Sequence, residues 1–155
     1  VFRVTNTGRV VTSALQITGG GDLVEGFESE LECEPGTVVC IDAKRPGQVT
    51  PSTQSYDSKV AGVVSGAGGV NHGLRMGQDG VLDGETLIAM TGRVYVKCSA
   101  ENGAIAPGDL LTTASLAGHA MRATDGTRSF GSVIGKAMTP LESGEGLILV
   151  LVNLQ

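Results

Sequence analysis

Ser58 and Lys59 are adjacent, and a lysine of depressed pKa can serve as the base that activates a serine. In a strand, however, neighbouring side chains point to opposite faces, so this pair does not read as a dyad. A Ser/His/Asp triad can be drawn from Ser58 or Ser115, His72 or His119, and Asp125, but no Gly-x-Ser-x-Gly nucleophile elbow accompanies it. Cys33, Cys40 and Cys98 are odd in number and show no Cys-x-x-Cys or Cys/His spacing. They read as small thiols in a reducing environment. A Cys33–Cys40 disulfide across the Pro35 turn is the alternative, and a metal site lacks further ligands nearby. Asp22, Glu25, Glu28, Glu30, Glu32 and Glu34 form an acidic cluster without the order of a calcium loop, and read as a solvated face. The glycine-dense stretch 67–80 has no Gly-Lys-Ser/Thr and no clear helix after it, which argues against a phosphate loop. The expectation is a protein with no catalytic residue, no cofactor and no metal.

The elements that would position any site come from a repeat. Pro35-Gly36-Thr37-Val38-Val39 recurs as Pro107-Gly108-Asp109-Leu110-Leu111, an offset of 72. Val60-Ala61-Gly62-Val63-Val64 recurs as Val133-Ile134-Gly135-Lys136-Ala137, an offset of 73. Gly84-Glu85 recurs as Gly144-Glu145, an offset of 60, so the first copy carries about 13 extra residues before its third block. Pro-Gly suits the centre of a type II turn, and the apolar run after it reads as a strand. The second block is a short strand bent at Gly62. The third ends in Leu147 to Val152, which has no polar alternation, so both its faces should be covered. Three or four strands cannot cover both faces alone. The fold expected is all-β: an internally duplicated small β-barrel or β-clip-like double sheet, with copy one at 35–98 and copy two at 107–152.

The 155 residues suffice for one domain and a real core. With 24 glycines, 3% aromatics and no tryptophan, that core is Val, Ile, Leu and Ala joined by tight turns. A net charge of −5 without a basic cluster argues against nucleic acid and anionic membranes as partners. No apolar run approaches the roughly 18 residues of a membrane helix. Val1 to Val4 reads as the middle of a strand, suggesting a C-terminal piece of a longer protein.

Along the chain, residues 1–18 should form a hairpin turning at Asn6-Thr7-Gly8, with another extended piece at Ala14 to Ile17. Residues 19–34 read as a glycine-rich and acidic linker. Asp22 and Glu25 there suggest a one-turn helix with a capping-box variant. Gln48 to Ser52 reads as a polar strand or edge, with Pro51 arguing for an edge position. Residues 67–80 read as a long surface loop, and Arg93 to Cys98 as an alternating strand.

Phe2-x-Val4-x-x-x-Gly8-x-Val10 resembles the short repeats that precede the terminal domain of phage and bacterial tail-fibre-like proteins, where three chains wind such hairpins into a shaft. A wider resemblance joins Gly21-Asp22-Leu23-Val24-Glu25, Tyr56-Asp57 with Val60 to Gly66, Gly92-Arg93-Val94-Tyr95-Val96, and Pro107 to Thr113. Together with the turn at 35–38 and the strand at 131–137, these are similar to the C-terminal domains of bacterial fibre-like proteins. The resemblance implies a structural knob and a homotrimer within a virion or extracellular fibre, and no established reaction. On that reading Asn71, His72, Arg75, Gln78 and Asp79 form a candidate contact loop for a cell-surface glycan or protein receptor. Phe2, Val4, Tyr95, Leu149 and Leu151 form a candidate subunit interface. The alternatives are a small β-clip-type ligand-binding module and a self-cleaving intramolecular chaperone.

Overall fold

The two Pro-Gly turns start equivalent strands. The Thr37 amide donates to the Glu34 carbonyl (3.1 Å) and the Asp109 amide to the Ala106 carbonyl (3.1 Å), each closing a turn whose third residue is glycine at φ 87° or 94°. The strands that these turns launch belong to an all-β protein with 43% strand and 5% helix, seen in a computed structural model that describes residues 2–154 apart from the Phe2 side chain.

Copy one contains β3 (Asp22–Phe27), β4 (Val38–Ile41), β5 (Val49–Pro51), β6 (Val60–Val64) and β7 (Leu74–Met76). The long β8 (Thr86–Ser99) leads on to β9 (Leu110–Thr113), β10 (Ala120–Arg122), a short helix α1 (Gly126–Ser129), β11 (Val133–Ala137) and β12 (Glu145–Asn153). Ahead of these lie β1 (Phe2–Val4) and β2 (Val10–Thr12).

The duplication extends to the register of the strands. In β4 and β6, Val38 pairs with Val63, Val39 with Gly62 and, past a bulge, Cys40 with Val60. In β9 and β11, Leu110 pairs with Lys136, Leu111 with Gly135 and, past the same bulge, Thr112 with Val133. A fourth strand repeats as well: β5 lies on β4 as β10 lies on β9, so Pro51 opposite Val39 corresponds to Arg122 opposite Leu111. The third block is displaced from its sequence match. Val63 with Ala89 corresponds to Lys136 with Leu151, an offset of 62 rather than 60. A slip of two residues leaves every side chain on its own face, which is why the motif could not reveal it.

In copy two, β10, β9, β11, β12 and the second half of β8 close a five-stranded barrel. β12 pairs with β8 from Glu145 opposite Ser99 to Asn153 opposite Thr91, and Ala120 bridges back to Cys98. In copy one, β5, β4, β6 and the first half of β8 repeat the order, with β3 in the remaining place against Thr86 to Gly92. There the Val49 amide donates to the Glu28 carbonyl (3.0 Å), at the position equivalent to the closing bridge. Val39, Val49, Val64 and Ile88 make the copy-one core. Their counterparts Leu111, Ala120, Ala137 and Val150 lie in a larger core with Val94, Val96, Ile134 and Ile148, which Val38, Val63 and Ala89 also join.

Several expectations are corrected. Residues 22–27 are a strand, not a helical turn, because pairing along β8 outweighs a local capping signal; part of the expected linker is therefore built into the sheet. Ala14 to Ile17 carries no strand. The stretch 67–80 contains a 3₁₀ turn (Ala67–Gly69) and β7, parallel to β3. The third block of copy one and the strand after it are one continuous strand. In β12, Ile148, Val150 and Val152 are buried, whereas on the opposite face Leu151 is exposed and Leu147 is only partly covered, beside Gly36.

Candidate functional site

The five residues of the candidate contact loop separate into a base and a tip. Asn71 and His72 lie against the start of β3: the Asn71 carbonyl accepts from the Gly21 amide (2.9 Å), and the Gly73 amide donates to the Asp22 carbonyl (2.8 Å). Arg75 sits on β7 and donates through Nη2 to the Gly84 carbonyl (3.0 Å). The Gln78 carbonyl accepts from the amides of Val81 (3.0 Å) and Leu82 (2.8 Å), turning the chain, and the Asp83 carboxylate accepts from the Gly80 amide. Asp79 is exposed at this tip. Arg75 and Asp79 line one open cleft with Met76, Leu82, Asp83 and Glu85, and neighbouring clefts add Glu25 and Glu28. Asn71, His72 and Gln78 do not line that cleft. Three carboxylates against one guanidinium leave the cleft net acidic, which suits a cationic contact better than an anionic one.

Below the loop lies a group that the motifs do not reveal. Asp22 is only 6% exposed, and neither of its carboxylate oxygens nor the Ser65 hydroxyl completes a hydrogen bond among the described residues. Burial pushes its carboxyl above the ordinary range, against the opposing pull of the Ser65 hydroxyl, the His72 side chain and its own backbone amide. Between the ordinary value of 3.8 and the raised one, the folded state keeps a proton that the unfolded chain has lost. Stability therefore falls as pH rises through that window, and the penalty is complete above it. Asp22→Asn is expected to gain about 1 kcal/mol at pH 7 and nothing well below pH 4. Thermal melts at both pH values check this; a gain that does not depend on pH would refute it.

The residues considered for chemistry are held in structural roles. Lys59 Nζ donates to Asp57 Oδ1 (2.8 Å). That bond raises the Lys59 pKa, the wrong direction for a base, and Ser58 is exposed beside it. Burial would raise Asp57, but hydrogen bonds from Lys59 and Gln54 outweigh it and hold the carboxyl below its usual range. All three cysteines are free. Burial pushes the Cys40 and Cys98 thiols up to about 12, so both are inert at neutral pH. His119 Nδ1 donates to the Ala117 carbonyl (2.8 Å). Among the described residues no three His, Cys, Asp or Glu side chains form a metal-ligand set, and no helix is long and apolar enough to cross a membrane.

The candidate interface residues also divide. The Phe2 side chain lies outside the described residues. Val4 is exposed on β1, opposite Val10, which is exposed too. Tyr95 is half-buried under the 3₁₀ turn: a β-carbon at Gly68 would fall 2.5 Å from its ring. Leu149 is half-buried, its amide donating to Thr139 Oγ1 (2.9 Å), and Leu151 is exposed. No protein-family model matches the chain, and no curated protein shows significant similarity to it.

Proposed function

We propose that this chain is the C-terminal knob and trimerisation domain of a fibrous, tail-fibre-like protein, with residues 1–18 as the last rung of the shaft. The observation that carries this reading is the hairpin. β1 and β2 pair antiparallel through a turn closed by Thr5 and Arg9, yet form a two-stranded sheet apart from the ten-stranded sheet of the two copies, with Val4 and Val10 exposed. A lone hairpin is marginal in water, and three copies wound together would bury those valines against one another. The exposed parts of Leu147 and Leu151 supply further apolar surface for self-association. In this role the protein needs no catalytic group and no cofactor. A cell-surface receptor would be met at the outside of a virion or extracellular fibre, through surface that self-association leaves open.

Light scattering on a size-exclusion column, at two concentrations, tests the proposal. The expected mass is three times 15.8 kDa at both. A monomer at both concentrations would overturn it.

A further inference from the structure

The two copies are equivalent, but their outer faces are treated differently. Across copy one, Val38, Val63, Ala89 and Val24 form a row of paired residues, and each is fully buried. The same four register positions in copy two are Leu110, Lys136, Leu151 and Arg93. Leu110 is 38% and Leu151 45% exposed, and Lys136 and Arg93 are exposed with no ion pair among the described residues. Three members of the first row join the larger core, so copy two covers copy one. Turns of copy one at Gly36 and Gly68 reach only the neighbouring Leu147 and Tyr95, and this row of copy two stays exposed among the described residues. A terminal repeat that merely faced water would carry a polar outer row; this one keeps leucine at two of its four positions, alternating with two unpaired cations.

The complementary surface is on the same molecule, at the other end of the repeat. Leu74, Met76, Val81 and Leu82 are all exposed, with Val81 67% and Leu82 63% accessible. Asp79, Asp83 and Glu85 line a cleft with Met76 and Leu82, against a single cation, Arg75, which is turned to the Gly84 carbonyl, so the cleft is net negative. One face is leucine with unpaired positive charge, the other apolar side chains with negative charge.

We infer that the outer row of copy two binds a second copy of this chain through its 74–85 arm. This rests on the self-association proposed above and gives it a geometry. The contact is heterologous, arm to row, so a pair leaves one arm and one row free at its ends. A third copy fills both and closes the ring. The internal contact between copies is thereby continued from chain to chain, with the arm standing where a further repeat would stand.

Charge exchange tests the contact on the full chain. Lys136→Glu and Asp79→Lys lie on exposed surface, and unchanged far-ultraviolet circular dichroism spectra would confirm that both variants fold. Each is expected to raise the apparent dissociation constant of the assembly about tenfold or more, and the double variant to recover most of the loss. Leu151→Asn should weaken assembly without recovery by Asp79→Lys. A trimer indifferent to all of these substitutions would overturn the arm-to-row contact and leave the fibre reading standing. Single losses without recovery in the double variant would also overturn it, since Lys136 and Asp79 would then face different partners. A wild-type monomer would remove both proposals.

Discussion

Gly135→Ala is expected to cost about 3 kcal/mol or more, and Gly62→Ala at least as much. The two glycines are the same position in the two copies, opposite Leu111 and Val39. A β-carbon at Gly135 would sit 2.1 Å from the Leu151 carbonyl oxygen. At Gly62 it would sit 2.8 Å from the Ala89 carbonyl oxygen and 2.6 Å from Ile88 Cγ2, with the backbone at φ 145° besides. Ala89 and Leu151 are themselves equivalent in register. Each copy thus depends on one close approach between its second and third blocks, which only a residue without a side chain allows. A backbone carbonyl cannot rotate aside as a side chain would, so relief requires moving β8 or β12 out of register. Gly19→Ala and Gly126→Ala, where nothing lies within 4 Å, are the controls and should stay within about 0.5 kcal/mol of the parent. Urea unfolding decides the matter: equal midpoints for Gly135→Ala and Gly126→Ala would refute the account.

That shared contact shows why half of the architecture is legible from the chain. The Pro-Gly turns and the Ala-Gly-Val and Ile-Gly-Lys blocks are required by local backbone conformation and close packing, so both copies retain them. The fourth strand is different. Val49-Thr50-Pro51 and Ala120-Met121-Arg122 share no residue, because an edge position asks only for an extended chain. Its recurrence emerges from register alone. β3 is hidden for the opposite reason: Asp22 and Glu25 imitate a helix start, and only the partner strand some sixty residues away decides otherwise. Long-range pairing also merges Thr86 to Met90 with Thr91 to Ser99 into one strand that serves both copies. The same limit applies to the candidate surfaces. Arg75 and Asp79 share a cleft while Asn71, His72 and Gln78 lie outside it, and the unfilled row at Leu110, Lys136, Leu151 and Arg93 comes from four separate strands and leaves no motif.

Tyr56 is the second position where a large effect is expected, and it joins the copies. Its backbone amide donates to the Thr113 carbonyl (3.1 Å), and the next amide, of Asp57, donates to Thr113 Oγ1 (2.8 Å). Its hydroxyl accepts from the amides of Thr124 (2.9 Å) and Asp125 (3.1 Å) and from Asn102 Nδ2 (3.4 Å). The Arg128 guanidinium stacks 4.4 Å from its ring centre. All this is gained at φ 55°, a left-handed conformation that costs a tyrosine about 1 kcal/mol or more. Tyr56→Ala keeps the strain and loses every side-chain contact, so a loss of about 3 kcal/mol is expected; Tyr56→Phe, which strands two amides, should lose about 1–2 kcal/mol. A pH signature separates the hydroxyl from the ring. Burial raises the phenol, but hydrogen bonds from Thr124, Asp125 and Asn102 outweigh it and lower the pKa below its ordinary 10.0. Just below pH 10 the folded state therefore binds fewer protons than the unfolded, and the stabilisation grows as pH rises through that window and is complete above it. The Tyr56→Phe deficit should accordingly widen from pH 8 to pH 10.5. A deficit that stays constant over that range would mean the hydroxyl does not anchor the 122–128 segment, and that the ring and backbone alone hold the copies together.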